Sequence, residues 1–203
     1  MTPKSNHKDR LLQYAKHQRA ITAREVVKLG IHSQILTRLV REGALERIAR
    51  GQYQLPDQPL TEHFSLAIVA RAVPSGVVCL LSALSFHGIG TQLPAEVWLA
   101  IDRRSRWPSL RYPRLRVVRF SGEAFTAGVE THILEGQPVR VYNVPKTLAD
   151  LFKYRNKVGL DVALEALREA WRERLFTMDE LDSCARICRV QRVMTPYLEA
   201  LVS

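Results

Sequence analysis

The chain has 203 residues, 46% of them apolar, which is enough to bury one large domain or two small ones and excludes a disordered tail. Apolar runs such as Val77 to Leu81 fall far short of the roughly 18 residues of a membrane span, and MTPKSNHKDR has no hydrophobic segment behind its charges, so a cytoplasmic protein without a membrane partner is expected. The formal net charge is +10, and it is uneven: residues 1–55 carry 11 basic and 4 acidic side chains, residues 56–203 carry 19 and 16, so a small basic module precedes a near-neutral body.

In the basic module, Leu11, Leu12, Tyr14 and Ala15 give one apolar face to a helix over Lys8 to His17. Thr22 and Glu25 have the spacing of a capping box, in which a hydroxyl and a carboxylate satisfy each other's backbone amides at a helix start. That second helix runs to Leu29 and is closed by Gly30. Ser33 is placed to cap a third, which reaches about Glu42 before Gly43. Three short helices with a tight glycine turn between the last two predict a helix-turn-helix.

Along the third helix Ile35, Leu36, Leu39 and Val40 form the inner stripe. Gln34, Thr37, Arg38 and Arg41 recur at i, i+3, i+4 and i+7 and share the outer face. Amide and guanidinium groups make bidentate contacts with base edges in a major groove, and a hydroxyl bonds to either kind of edge. Ala44 to Leu55 then reads as a two-stranded hairpin reversing at Arg50-Gly51, a wing with Arg47 and Arg50 available to phosphates or the minor groove. Lys8, Arg10 and Arg24 are further candidate phosphate contacts, with Ser33 beside them at the helix start. An exposed helix with Gln and Arg outside is also what an ordinary solvated surface looks like, and it is the agreement of five features that favours duplex DNA as partner.

Pro56-Asp57-Gln58-Pro59 reads as a linker, dividing the chain into a winged helix-turn-helix over 1–55 and a second domain over 56–203. In the second part a helix is predicted over Thr61 to Ala72 with Phe64, Ile68 and Val69 inward, then a short helix from Ser82 to His87. Strands are predicted at Glu96–Ile101, Leu115–Phe120, Val129–Leu134 and Pro138–Tyr142, the last two joined by a turn at Gly136-Gln137. Helices follow from Val144, Leu160 and Met178, with another near Thr195. From Leu160, the residues Leu160, Ala163, Leu164, Leu167, Ala170 and Trp171 are expected inward, and Glu165, Arg168, Glu169 and Arg172 toward water. The fold class is therefore α+β, a winged helix-turn-helix followed by a mixed domain with a small β-sheet and C-terminal helices.

Catalytic patterns are missing from the sequence. Pro145-Lys146-Thr147 lacks the glycines of a phosphate loop, and no nucleophile elbow or His-Glu-x-x-His pair occurs. Lys146 and Asp150 stand one turn apart and read as an ordinary intrahelical ion pair. Glu130, Glu135 and Arg140 lack the arrangement of a metal-dependent nuclease. Cys184 and Cys188 share a helix face without a histidine nearby, and with Cys79 they read as buried thiols. No enzyme, metal or cofactor is expected. Arg103, Arg104, Arg106, Arg111, Arg114, Arg116 and Arg119 cluster within seventeen residues around Trp107 and Tyr112. They fit either a nucleic-acid surface or an edge strand protected by charge.

Three stretches carry a resemblance: Arg47-Ile48-Ala49-Arg50-Gly51-Gln52-Tyr53, Val78 to Gly88 (VCLLSALSFHG), and Val141 to Arg155 (VYNVPKTLADLFKYR). Together they resemble the AbiEi family, the antitoxins of type IV abortive-infection toxin–antitoxin systems, over nearly the whole chain. Ser82, His87, Lys146, Thr147 and Asp150 match residues that recur in the family. The resemblance implies a repressor that binds inverted repeats in its own promoter as two copies. Its C-terminal domain would counter a nucleotidyltransferase-like toxin, without necessarily touching it. A stand-alone transcription factor of the same fold would look the same. A small nucleic-acid-processing enzyme with a DNA-targeting arm and a protein-docking winged helix are the alternatives outside regulation.

Overall fold

A computed structural model describes residues 7–18, 20–49, 51–56, 62–110 and 112–202. The N-terminal part comprises α1 (His7–His17), β1 (Ile21–Thr22), α2 (Ala23–Lys28), α3 (Gln34–Arg41), β2 (Glu46–Ala49) and β3 (Gln52–Gln54). Its strands form an antiparallel sheet in the order β1-β3-β2, so the hairpin gains a third strand from the segment just before α2. The Thr22–Glu25 capping box forms as expected: the Thr22 hydroxyl accepts from the Glu25 amide, and the Glu25 carboxylate accepts from the Thr22 amide at 2.6 Å. Leu11, Ala15, Ile21, Val26, Leu36, Leu39 and Leu45 close a separate core between the three helices and the sheet. This arrangement is consistent with a winged helix-turn-helix.

The body begins with α4 (Glu62–Ala72), β4 (Val77–Val78), α5 (Leu80–Phe86), β5 (Val97–Asp102), β6 (Leu115–Phe120), α6 (Glu123–Thr126), β7 (Val129–Leu134) and β8 (Gln137–Tyr142). It continues as α7 (Val144–Lys153), α8 (Arg155–Val158), α9 (Leu160–Arg172), α10 (Met178–Cys188) and α11 (Gln191–Val202). The strands make one mixed sheet, β6-β5-β4-β8-β7. β5 is flanked on both sides and buries five of its six residues, as an internal strand covered on both faces must. One face packs on α4 through Leu66, Val69, Leu99, Val139 and Val141. The other carries the larger core, in which α5, α7, α9 and α10 cover Trp98, Ala100, Val118, Phe120 and Tyr142. Among the described residues no helix is long and apolar enough to cross a membrane.

Several local expectations shift, α5 beginning at Leu80 and β5 spanning Val97–Asp102 among them. The β7–β8 turn falls one residue earlier, on Glu135 and Gly136, both at positive φ (51° and 71°), which leaves Gln137 in the strand. Helix α9 is rotated relative to the expected face: Val162 and Ala166 are buried, whereas Leu160, Leu164 and Trp171 are half-buried. Glu165 and Glu169 consequently do not face open water. Glu169 accepts from the Gly90 amide at 2.8 Å and Glu165 from the Thr91 hydroxyl at 3.3 Å, tying α9 to the loop after α5.

The Lys146–Asp150 pair is intrahelical, as the spacing requires, but it is not an ordinary solvated one. Both side chains are fully buried, 2.6 Å apart, because α7 is enclosed by α5, α9, α10 and the sheet. The Lys146 ammonium lies over the rings of Tyr142 (4.0 Å) and Phe120 (4.7 Å), and the Cys188 thiol donates to the second Asp150 oxygen at 3.2 Å. Burial pushes the Asp150 carboxyl upward from its ordinary range, with the Lys146 ammonium opposing it. Burial likewise raises the Cys79 thiol and pushes Cys188 up to about 12. Removing one partner strands the other charge, so Lys146→Met or Asp150→Leu alone is expected to cost about 3–5 kcal/mol of unfolding free energy. The double variant leaves no orphan and should recover most of that loss in urea denaturation. Additive losses would show that the two side chains act independently.

Candidate nucleic-acid interface

Helix α3 has two chemically distinct sides. Leu36 and Leu39 are locked into the core of the N-terminal part, while Gln34, Thr37, Arg38 and Arg41 are all exposed. Those four, with His7, His32 and the Gly30–Ile31 turn, line a shallow concavity of about 800 Å³. The structure therefore brings together the helix residues expected to read bases, and no described part of the body covers them. His7 and His32 were not among the expected contacts. His32 directly precedes Ser33, and its role there is visible only in the turn geometry.

The helix start differs from expectation. Ser33 occupies the capping position, but its hydroxyl makes no capping bond; instead His32 Nδ1 accepts from the Gln34 amide at 3.3 Å. Ser33 already has helical dihedrals (φ −61°, ψ −20°), and a capping hydroxyl needs an extended backbone to reach back over the first turn.

The outlying basic residues separate. Lys8 is expected to contact phosphate, yet its ammonium pairs with Glu42 at 2.7 Å, linking the start of α1 to the end of α3. That hydrogen bond holds the Glu42 carboxyl below the usual range, with Arg38 adding a weaker contribution from 3.6 Å. An exposed pair of this kind is screened by water and contributes little, so a phosphate can compete for either cation. Arg10, Arg24 and Arg47 are exposed, but none of them lines the α3 concavity; Arg10 lies on a neighbouring depression with Gln13, Tyr14 and Leu29. Arg50 lies outside the described residues, next to Gly51 at φ 73°.

The back of the wing is held by the body. Ile48 of β2 packs against Phe64 and Ile68 of α4, with Ala20 and Leu110 alongside. Arg71 at the end of α4 reaches Glu25, the capping residue of α2, at 3.7 Å. Leu110 belongs to the arginine-rich loop between β5 and β6, so that loop runs beside the base of the wing. On it Arg103, Arg104 and Arg106 are exposed, as are Arg116 and Arg119 on β6. Arg119 donates to the Arg103 carbonyl and lies 5.8 Å from the ring of Trp107, while Arg116 lies over Trp98 at 4.5 Å. Arg111 is outside the described residues. Sequence reasoning also missed the burial of Gln52 and Gln54, which face inward on the short strand β3.

A basic, open helix face beside a hairpin, ahead of a mixed α+β body, is consistent with a winged helix-turn-helix at the N-terminus. Residues 9–56 match the model of the family described as "Transcriptional regulator, AbiEi antitoxin". The resemblance read from the sequence is thus borne out over those residues, a shorter span than it suggested. The fold as a whole is similar to the crystal structure of the RV2827C protein from Mycobacterium tuberculosis, with a TM-score of 0.64 at 13% identity over 88% of this chain and 70% of that one. No curated protein matches the chain.

The two sides of α3 should respond differently to truncation. Leu39→Ala is expected to cost about 2–5 kcal/mol of stability. Arg41→Ala should stay within about 0.5 kcal/mol of the parent in the same urea titration. A comparable loss for both would mean that Arg41 packs inward.

Proposed function

We propose that the protein is a sequence-specific DNA-binding transcriptional repressor that acts as the antitoxin of a type IV toxin–antitoxin system and represses its own operon through inverted repeats. The observation that carries this reading is the uncovered polar face of α3, set on a segment that matches a regulator family. In this reading residues 1–55 form the DNA-binding domain and residues 56–203 the antitoxin domain. Gln34, Thr37, Arg38 and Arg41 read base edges in the major groove, since amide and guanidinium forks held on a helix can make bidentate contacts with them. Arg47 and Arg50 of the wing, with Arg10 and Arg24, hold phosphates, and Lys8 joins them by exchanging Glu42 for a phosphate oxygen. Ser33 stands at the start of the reading helix, where its hydroxyl is free for a backbone phosphate.

The arginine-rich loop extends this surface. Because Leu110 packs in the same cluster as Ile48, the exposed Arg103, Arg104 and Arg106 lie on the loop that borders the wing, so a duplex gripped by the wing passes near them. One winged helix covers few base pairs, so two copies occupy the two arms of a palindrome.

The test is an electrophoretic shift on the protein's own promoter across a salt series. Several neutralised phosphates should give a steep negative slope of log affinity on log salt. A slope near zero, or equal binding to random DNA, would sink the reading. Arg38→Ala should lose about 1–3 kcal/mol of preference for the operator over a base-substituted site, whereas Arg47→Ala should weaken both sites alike.

A further inference from the structure

A cavity of about 490 Å³ opens on the body where α4, α5 and the loops leading into β5 and β6 converge. Its volume lies within the range of small-molecule sites, and its wall combines an apolar floor with a few polar groups, as such sites do. Leu66, Pro94, Val97 and Pro113 supply the floor. Ser65 and Ser85 line it from two different helices.

The charges at its mouth narrow the ligand. β5 and β6 run parallel with Val97 opposite Leu115, so Glu96 and Arg114 stand side by side just before the two strands begin. The backbone there is already fixed, because the Val97 amide donates to the Arg114 carbonyl at 2.8 Å. Among the described residues neither the Glu96 carboxylate nor the Arg114 guanidinium takes part in an ion pair or a side-chain hydrogen bond. A phosphate or any other multiply charged anion would be repelled by Glu96, and a purely apolar ligand would make no use of the two charges or the serines. A zwitterion with an apolar body answers all of them. The geometry points to an effector site for an apolar α-amino acid, its carboxylate on Arg114, its ammonium on Glu96, and its side chain over Leu66 and Val97.

The site touches both elements that hold the wing. Leu66 lies between Phe64 and Ile68 on α4, the two residues that pack on Ile48. Tyr112, Pro113 and Arg114 continue from Leu110, the loop residue in that same cluster. The cavity therefore adjoins both elements that seat the wing: α4, through Leu66 on its sheet-facing flank, and the β5–β6 loop, through Tyr112 to Arg114. A ligand shifts DNA affinity only by the difference in its own affinity for the two placements of the wing, and the coupling is reciprocal.

This regulatory role rests on the repressor reading; the pocket itself does not, and calorimetry on the full chain separates the two. L-leucine, L-methionine and L-phenylalanine are titrated beside isoamylamine, which lacks the carboxylate, and N-acetyl-L-leucine, which lacks the ammonium. Saturable one-site binding is expected for at least one of the amino acids, weakened about tenfold or more by loss of either ligand charge or by Arg114→Ala. Arg114 is exposed, so its truncation should leave the melting temperature in place; Glu96→Gln serves as the second variant. Titrations indistinguishable from dilution, or equal affinity for the Arg114→Ala protein, would overturn the assignment. With the promoter fragment present, leucine and DNA should change each other's affinity by the same factor. Amino-acid binding that leaves DNA affinity unchanged overturns the effector role. Amino-acid binding by a protein that holds no DNA even at low salt keeps the pocket and overturns the repressor reading instead.

Discussion

Helix α4 packs on two sides at once, and the direction in which the basic surface faces follows from that. Phe64 and Ile68, one turn apart, meet Ile48 on the back of the wing, while Leu66 and Val69 belong to the layer beneath the five-stranded sheet. A helix with apolar residues on both flanks cannot be stable until each flank is covered. The N-terminal unit supplies one cover and the sheet the other. With the wing seated by its inner face, α3 is left on the outside, and its polar residues stay clear of the body. The Arg71–Glu25 contact reinforces the same placement by joining α4 to the first turn of α2.

Much of this was legible because it depends on local chemistry. Thr22 and Glu25 announce a capping box whose partners are three residues apart, and the box forms. The polar and apolar sides of α3 follow from a period that needs only eight residues to show itself. β6 and β7 are bounded in the structure as their alternation indicated. What was not legible depends on partners distant in the chain. β1 is two residues long and is a strand only because β3 lies beside it. The inward face of α9 is turned because Gly90 and Thr91, some seventy residues away, capture Glu169 and Glu165. Ser33 has the right chemistry for a cap but sits in helical dihedrals, a property of the turn rather than of the residue. The buried state of Lys146 and Asp150 was hidden for the same reason. Their spacing describes any surface pair, and only the enclosure of α7 shows that they are inside.

The body and the N-terminal unit are stabilised in different ways. Around α7 the charged pair, the thiol and the two aromatic rings form one satisfied polar centre within the larger core, an arrangement that penalises any misplacement of α7 against α10. The N-terminal unit has no such centre among its described residues. It relies on a small aliphatic core, a capping box and its seat on α4. Rigidity is thus concentrated away from the exposed face of α3, and the link between the two is short and largely apolar.

The position of the thiols has a practical consequence. Cys79, Cys184 and Cys188 are all free and buried, and burial, with the Asp150 carboxylate adding to it, disfavours ionisation of Cys188. Alkylating reagents require a thiolate they can reach. The rate of attack on Cys188 in the native protein therefore records how often the α7–α10 contact opens, and the chain carries its own clock for breathing of its core without any introduced label.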